Sequence, residues 1–338
     1  MASILMLSER GKSLPIAGRL KSEGHIVKVW IKNDTHKVLQ GSRNPAVVRN
    51  PVVLLEQFDL IISEGLLSSQ AIEIEKMGKK VMGCGAVTDK LTTDKMYRAK
   101  VLDFLGVTTP PFEGITVELT GFMGANGFNP LMMLSLPSYY FMEKDKGSMT
   151  EGMGSLVVFL DEGSKLTKTL LPFAAFLLKI NYTGPFNLSL NISGELWTIT
   201  SLNTDLVAGN ILAGAELLKT SLFDFLFGLP DGVEGKAWDG YGASVVLSVP
   251  PWPYGGVTSE SLGLIDVPEQ AGKHLSLGDS KLGVLGVATA KGTDVREARR
   301  RVYRTVQNAV TSRMVQYRDD IGVIQEKDLQ TLKEWGWL

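Results

Sequence analysis

The most informative segment of this 338-residue sequence is Gly147-Ser148-Met149-Thr150-Glu151-Gly152-Met153-Gly154. Its three glycines carry no Cβ atom, so the backbone amides of the segment can approach a ligand closely. Asp145 lies two residues upstream and offers a carboxylate to an ammonium group. Taken alone, these residues fit either a ligand-binding loop or a structural glycine-rich hairpin.

The composition, 44% hydrophobic and 21% charged, is that of an ordinary soluble protein long enough for two or three domains. The single cysteine, Cys84, excludes an intramolecular disulfide framework and fits a reducing compartment. No apolar run reaches the roughly 18 residues of a membrane helix, and the N-terminal run is too short for a signal peptide. We therefore expect a cytoplasmic protein with no membrane partner. Three widely separated histidines predict no metal site.

The net charge of −1 conceals two basic regions. Residues 1 to 50 contain nine Lys/Arg and three Asp/Glu, and residues 291 to 318 contain eight and two, so each region carries +6. Such regions are either solvated helix faces or contacts to an anionic partner, such as a phosphate, a nucleotide or a nucleic acid. Successive helical residues diverge by about 100°, so the five arginines between 296 and 304 cannot share one face. The predicted nucleic-acid contacts are Arg296, Arg300 and Arg304.

The first part of the chain alternates strands and helices, which predicts a doubly wound parallel sheet. Strands are expected at 3–7, 25–31, 58–63 and 80–82. A helix from about Thr92 to Leu105 ends at Gly106, and the following Pro110-Pro111 forbids its continuation. We therefore place a domain boundary at residue 112.

The remainder of the chain predicts a mixed α+β segment at 113–228 and a β-rich segment at 229–338. Helices are expected at 165–179 and 208–226, and a long helix from Asp294 to about Met314. A further strand is expected at 261–266. For Trp252, between Pro251 and Pro253, we expect packing within a rigid turn.

The turn from Ser8 to Ser13 joins the first strand to the first helix and ends in Gly-Lys-Ser. Backbone amides at such a helix start can hold an anion. A full phosphate loop would need a glycine where Met6 stands. The turn is therefore either an ordinary strand-to-helix connection or an anion site in which Lys12 and Ser13 contact substrate.

A second segment, Tyr317-Arg318-Asp319-Asp320-Ile321-Gly322, follows the octapeptide in the chain. The octapeptide resembles the Gly-Pro-Asn-Thr-Gly-Gly-Met-Gly loop of the glycinamide ribonucleotide synthetase family, ATP-grasp ligases of purine synthesis, and matches it at five of eight positions. The hexapeptide resembles that family's Tyr-Arg-Arg-Asp-Ile-Gly. Similar stretches at 93–108, 182–184, 238–253 and 283–287 extend the resemblance over nearly the whole chain.

This resemblance implies an α/β and α+β architecture in three parts. They are a Rossmann-like domain at 1–112, a truncated ATP-grasp-like α+β domain at 113–228, and a C-terminal synthetase-like domain at 229–338 with a long helix. It also favours ligand contact at the octapeptide. The implied catalytic residues are Asp145, Thr150 and Arg318. The implied substrate contacts are Gly147, Gly152, Met153, Gly154, Asn203 and Asp320.

Two departures from the family bear on activity. The family inserts a subdomain that covers the ATP phosphates, and this chain has almost no residues between Phe112 and Ile115 to hold it. The family's metal and glycine motif, Glu-Phe-Asn-x-Arg-Phe-Gly-Asp-Pro-Glu, corresponds to 201–210, where Asn203 alone survives. Phosphoryl transfer needs magnesium and positive groups around the phosphoryl. We therefore expect no ATP step and no bound magnesium, and we name no other cofactor.

Three functions remain open. The first is a transferase that joins glycine or another small amine to an already activated, phosphorylated nucleotide or DNA base. Asp145 would then steer the amine, the amides from Thr150 to Gly154 would face the leaving phosphate, and Arg318 or Lys12 would neutralise it. The second is an ATP-dependent phosphoribosylamine–glycine ligase. The third is a non-catalytic binding or scaffold protein.

Overall fold

The computed structural model describes residues 1–32, 46–48, 52–65, 67–79, 81–83, 85–107, 111–255, 273–277, 283–309 and 314–338. Cys84 and the strand expected at 261–266 lie outside these residues. No helix within the described residues is long and apolar enough to cross a membrane.

The N-terminal part is a five-stranded parallel sheet in the order β3-β2-β1-β4-β5. Its strands are β1 (Ser3–Ser8), β2 (Ile26–Ile31), β3 (Ala46–Val47), β4 (Leu60–Glu64) and β5 (Val81–Gly83), and its helices are α1 (Leu14–Ser22), α2 (Ser68–Lys76), α3 (Ala86–Thr93) and α4 (Lys95–Phe104). The predicted doubly wound sheet is confirmed. Strand order reverses between β1 and β4, and ligands of such sheets bind where the carboxyl ends of the strands diverge.

The helix predicted from about Thr92 begins instead at Lys95. The Asp94 carboxylate accepts a hydrogen bond from the backbone of Tyr97 at 2.9 Å and so starts α4 as a separate helix. Gly106, at φ 68°, follows the last turn of α4, as the sequence predicts.

The rest of the chain is built on a nine-stranded antiparallel sheet in the order β13-β12-β6-β8-β11-β14-β16-β15, with β7 paired to β6. The strands are β6 (Ile115–Gly124), β7 (Gly127–Phe128), β8 (Met132–Pro137), β11 (Gly154–Leu160), β12 (Gly184–Ser193), β13 (Leu196–Asn203), β14 (Tyr241–Ser248), β15 (Leu275–Leu277) and β16 (Val284–Gly292). A separate hairpin joins β9 (Tyr140–Met142) to β10 (Lys146–Met149). Because β14 pairs with β11, the sheet continues across residue 228. The domain boundaries stay predictions.

Helices cover both faces of this sheet: α5 (Lys165–Lys179), α6 (Ala208–Ala215), α7 (Leu222–Gly228), α8 (Val295–Ala309) and α9 (Val323–Glu334). The bounds of α5 match the prediction, and its buried face, which includes Leu166, Leu170 and Phe173, packs into the core. The single helix expected at 208–226 is two helices, because the Ser221 side chain caps α7.

A buried ionic network joins α1 to the large sheet. Glu216 accepts hydrogen bonds from Arg19 at 3.0 Å and from Thr289 at 2.9 Å, and its other oxygen lies 3.1 Å from His274 Nδ1. Burial disfavours the charged form of Glu216 and by itself would raise its pKa. The hydrogen bond with His274 and the positive charges of His274 and Arg19 outweigh burial and hold the Glu216 pKa below its usual value. This network fixes the last turn of α1 against the sheet.

Candidate functional site

A cavity of about 960 Å³ lies where the β1–α1 turn, the end of β4 and the large sheet meet. Its polar lining comes from Arg10, Gly11, Lys12, Glu64, Thr150, Glu151, Gly152 and Asp205. The structure therefore brings three predicted site residues together: Lys12, Thr150 and Gly152.

The β1–α1 turn is held by the carboxylate at the end of β4. Ser8 Oγ donates to Glu64 Oε2 at 2.5 Å and accepts from the Gly11 amide at 2.8 Å. Gly11 has a φ of 87°, which favours glycine. Ser13 is fully buried at the N-cap of α1 and does not line the described cavity, so its predicted substrate contact stays untested.

Lys12 forms an ion pair with Glu151, with Nζ 2.7 Å from Oε1 and side chains 42% and 71% exposed. Glu151 is the residue that replaces a glycine of the resembling family loop. In this structure its carboxylate pairs with Lys12, the cation that an anionic ligand would otherwise contact.

Two carboxyls in the cavity have elevated pKa values. Burial raises the pKa of Glu64 to about 7, against the hydrogen bond from Ser8, and nearby Asp205 raises it further. Burial also raises the pKa of Asp205, although the charge of Lys12 opposes the shift. Glu64 can therefore exchange a proton near neutral pH.

The N-terminus of α6 also borders the cavity. Its N-cap is Val207, which has no polar side chain to cap the first turn, and Ala208 and Gly209 line the cavity beside it. The amides of a first helical turn lack partners within the helix and favour an anion.

The rest of the lining is largely apolar and includes Leu206, Val246, Trp252, Pro253, Val284 and Val287. Trp252 lines the cavity and packs edge-on against Phe141 of the β9–β10 hairpin. An apolar lining together with cations suits a ring system that carries a charged group.

The octapeptide is held mainly by hydrogen bonds to the backbone of Ser138 and Tyr139. The Thr150 amide and hydroxyl both donate to the Tyr139 carbonyl, at 2.7 and 2.6 Å, and the Gly152 amide donates to Thr150 Oγ1 at 3.1 Å. The Met153 amide donates to Ser138, and Met153 is fully buried. The Thr150, Gly152 and Met153 amides are bonded within the protein in this structure, and the predicted contact of the octapeptide amides with a leaving phosphate stays a prediction.

The remaining octapeptide glycines serve close packing. A Cβ on Gly154 would lie 2.3 Å from the Ser244 carbonyl oxygen, and one on Gly147 would lie 3.1 Å from Met142. Among the described residues that line the cavity, neither glycine appears.

Asp145, Arg318 and Asp320 form an ion cluster beneath the β9–β10 hairpin. Arg318, 1% exposed, donates to Asp145 at 2.8 Å and to both oxygens of Asp320 at 2.7 Å. Asp320 in turn accepts from the Lys144 amide at 2.8 Å. None of the three is among the described cavity residues. In this structure the three side chains bind one another, and the predicted roles of Asp145, Arg318 and Asp320 at a substrate stay predictions.

Asn203 is not among the described lining residues of the cavity, but it positions one of them. Its Oδ1 accepts from Asn187 Nδ2 at 2.8 Å and from the Asp205 amide at 3.0 Å, which orients the loop that carries Asp205 into the cavity. Within the described ranges, no group of three or more His, Cys, Asp and Glu residues is arranged to hold a metal ion.

The predicted nucleic-acid contacts Arg296, Arg300 and Arg304 lie together in a different groove, along α8. Sequence reasoning missed Arg10, Glu64, Asp205 and the α6 N-terminus as cavity residues. The carboxyl end of β4, which lies beside that of β1 in the parallel sheet, was the available signal for Glu64.

No protein-family model and no curated protein matches the sequence, but solved structures match the fold. Phosphoribosylamine–glycine ligase from Thermotoga maritima has a TM-score of 0.69 at 15% identity, covering 94% of this chain and 100% of that chain. N5-carboxyaminoimidazole ribonucleotide synthetase from Thermus thermophilus has a TM-score of 0.58 at 13% identity, covering 91% and 99%. The biotin carboxylase domain of a thermophilic 2-oxoglutarate carboxylase has a TM-score of 0.61 at 8% identity, covering 94% and 91%.

This chain has an ATP-grasp-like fold. Identities this low relate the folds and do not carry an activity from one protein to another. Only ten residues, 105–114, connect α4 to β6, which leaves no room there for an inserted subdomain. The ATP-grasp-like sheet is therefore present without such an insertion at this point.

Proposed function

We propose that this protein transfers an amino acid or other small amine onto an acceptor that already carries a phosphate or pyrophosphate leaving group. One observation carries the proposal: a single cavity combines a carboxyl of pKa about 7, Glu64, with the cations Arg10 and Lys12. An amine transfer of this kind needs a proton acceptor and an anion site, and it needs no ATP.

Two carboxyls in the cavity can act on the amine. An amino acid carries an ammonium group at neutral pH and must lose a proton before its nitrogen can attack. A base is most effective when its pKa lies near the working pH. Glu64 meets that condition, and Asp205 adds a second carboxyl that attracts the ammonium group before proton loss.

The same cavity also contains groups that can bind an anion. Arg10 and Lys12 follow β1, and the uncapped first turn of α6 adds backbone amides at Ala208 and Gly209. Guanidinium, ammonium and helix N-terminal amides all bind phosphate oxygens. The apolar wall around Trp252 then accommodates the ring of a nucleotide-like acceptor.

The proposed step balances as a nucleophilic substitution. Glu64 takes one proton from the ammonium group, and the free amine attacks the acceptor carbon. A C–N bond forms while the C–O bond to the leaving group breaks, and the electron pair departs on the phosphate oxygen beside Lys12. The substituted ammonium then loses its remaining extra proton to water.

ATP-dependent ligation is the second candidate, and the fold similarity to phosphoribosylamine–glycine ligase favours it. A ligase would form an acyl phosphate from the amino acid and would need both ATP and magnesium. The two reactions differ in which substrate is activated, so the same assay separates them.

The test follows ¹⁵N-labelled glycine by mass spectrometry. One reaction contains a pyrophosphorylated hydroxymethylpyrimidine in DNA or as a free nucleotide, without ATP, and another contains phosphoribosylamine with ATP and magnesium. The proposal expects label in the first product, loss of labelling in Glu64→Gln, and retention in Glu151→Gln. Label in the second product alone would establish the ligase. Label in neither, with glycine binding intact, would favour a non-catalytic binding protein.

A further inference from the structure

A basic groove of about 890 Å³ runs along α8, apart from the cavity described above. Arg296, Arg300 and Arg304 stand four residues apart, so they follow one face of the helix at intervals of about 6 Å. Arg299 lines the groove between them, and the start of α9 forms its other side through Val323 and Glu326.

The groove carries an excess of positive charge. Four arginines line it against two carboxylates, Asp319 and Glu326, which leaves 4 − 2 = +2. Arg296 lies 3.4 Å from Glu326 and Arg300 lies 3.9 Å from Glu297, but both arginine side chains are exposed, and such pairs contribute little. In the described part of the chain, no carboxylate lies within 4.0 Å of Arg304. An anion can therefore bind these guanidinium groups without first breaking a strong ion pair.

Two tyrosine rings lie among these arginines. Tyr303 and Tyr317 have ring centroids 6.3 Å apart, and the Arg299 guanidinium lies 5.5 Å from the Tyr303 centroid. The Tyr303 hydroxyl donates to the Arg318 carbonyl at 2.8 Å and accepts from the Ile321 amide at 3.0 Å, which fixes its ring. Tyr317 is exposed. Arginines beside exposed aromatic rings form the arrangement that binds phosphates and stacks bases.

The apolar residues of α8 are not available to a membrane. Ala298, Val302 and Val306 are buried in the core that α8 forms with β14 and β16. A helix that lies on a bilayer needs an exposed apolar face beside its cationic one. The exposed face of α8 is cationic and aromatic instead.

We propose that the α8 groove, formed by Arg296, Arg300, Arg304, Tyr303 and Tyr317, binds single-stranded nucleic acid. The arginines contact successive phosphates and Tyr317 stacks on a base. This binding does not depend on the chemistry proposed for the cavity, because the groove residues are not among the described cavity residues. If both proposals hold, the groove presents an acceptor that is part of a nucleic acid strand.

The test measures fluorescence anisotropy of a labelled 20-nucleotide single-stranded DNA with the full chain, without amine or activated acceptor. The triple variant Arg296→Ala, Arg300→Ala, Arg304→Ala should weaken binding about tenfold or more and lower the slope of log K against log salt by about 2. Tyr317→Ala should weaken binding about fivefold without changing that slope. Arg301→Ala is the matched control, because Arg301 lies on α8 outside the groove and pairs with Glu297 at 2.8 Å.

Three outcomes would overturn the proposal. One is a triple variant that binds the oligonucleotide as Arg301→Ala does while its melting temperature is unchanged. Another is competition by polyglutamate or by duplex DNA as effective as competition by the single strand. The third is a triple variant that no longer binds phosphatidylserine vesicles but still binds the oligonucleotide as the wild type does. Because the assay needs no turnover, failure of amine transfer leaves its result unaffected.

Discussion

Replacing Glu64 with glutamine should change how folding stability depends on pH. Burial raises the pKa of Glu64 from 4.5 to about 7. Between these values the folded protein binds more protons than the unfolded chain, so the contribution of Glu64 to stability is present below pH 4.5 and is lost as pH rises to 7. At about 1.36 kcal/mol for each tenfold change, the loss is about 3 kcal/mol.

Glutamine has nearly the same shape and can still accept the hydrogen bond from Ser8, but it does not titrate. Urea denaturation of both proteins from pH 5 to 8 measures the difference directly. The wild type should lose about 2.5 kcal/mol more than Glu64→Gln over this range, because part of the contribution is already lost at pH 5. Other titrating groups, including His274, occur in both proteins and cancel in the comparison.

Glu151→Gln is the matched control, since Glu151 is an exposed carboxylate of the same cavity and should leave the wild-type pH profile unchanged. Parallel profiles for wild type and Glu64→Gln, within about 0.5 kcal/mol, would refute the elevated pKa. They would also remove the proton acceptor from the proposed reaction.

Three further predictions concern ion pairs. Glu151→Gln should bind inorganic pyrophosphate about two- to fivefold more tightly, because Lys12 loses its competing carboxylate. Calorimetry that shows equal or weaker binding would count against an anion site at Lys12. Arg318→Met should lower the free energy of unfolding by about 3 kcal/mol, because it removes the cation that Asp145 and Asp320 share. A loss below about 1 kcal/mol in urea denaturation would contradict a stabilising role for these ion pairs. His274→Gln should destabilise the protein below pH 6.5 and have no effect at alkaline pH, because the hydrogen bond with Glu216 raises the His274 pKa above 6.5. If thermal unfolding shows the same effect at every pH, the pairing is not the cause.

The sequence predicts the fold well because its signals are local. Alternating apolar strands and helices specify the parallel sheet, and the predicted bounds of α5 at 165–179 agree with the structure. Short capping signals are harder to recognise, and two of them, at Asp94 and Ser221, divide helices that the sequence predicts as continuous. At Asp94 one residue ends α3 and begins α4, whereas residues 216–221 separate α6 from α7.

The site is less predictable, because it is assembled across distant parts of the chain. Lys12 and Glu151 are 139 residues apart, and Ser8 and Glu64 are 56 apart, so spacing in the sequence cannot show that they meet. Arg318 pairs with Asp145, 173 residues away, which spacing in the sequence also cannot show. Its predicted catalytic role stays a prediction.

The most direct test of the central claim is isothermal titration of ATP with magnesium, and of inorganic pyrophosphate, into the same preparation. We predict no micromolar binding of ATP with magnesium. Pyrophosphate should bind, and Lys12→Ala should weaken that binding. Clear micromolar binding of ATP with magnesium, or pyrophosphate binding that is unchanged in Lys12→Ala, would contradict a cavity that takes an acceptor activated elsewhere.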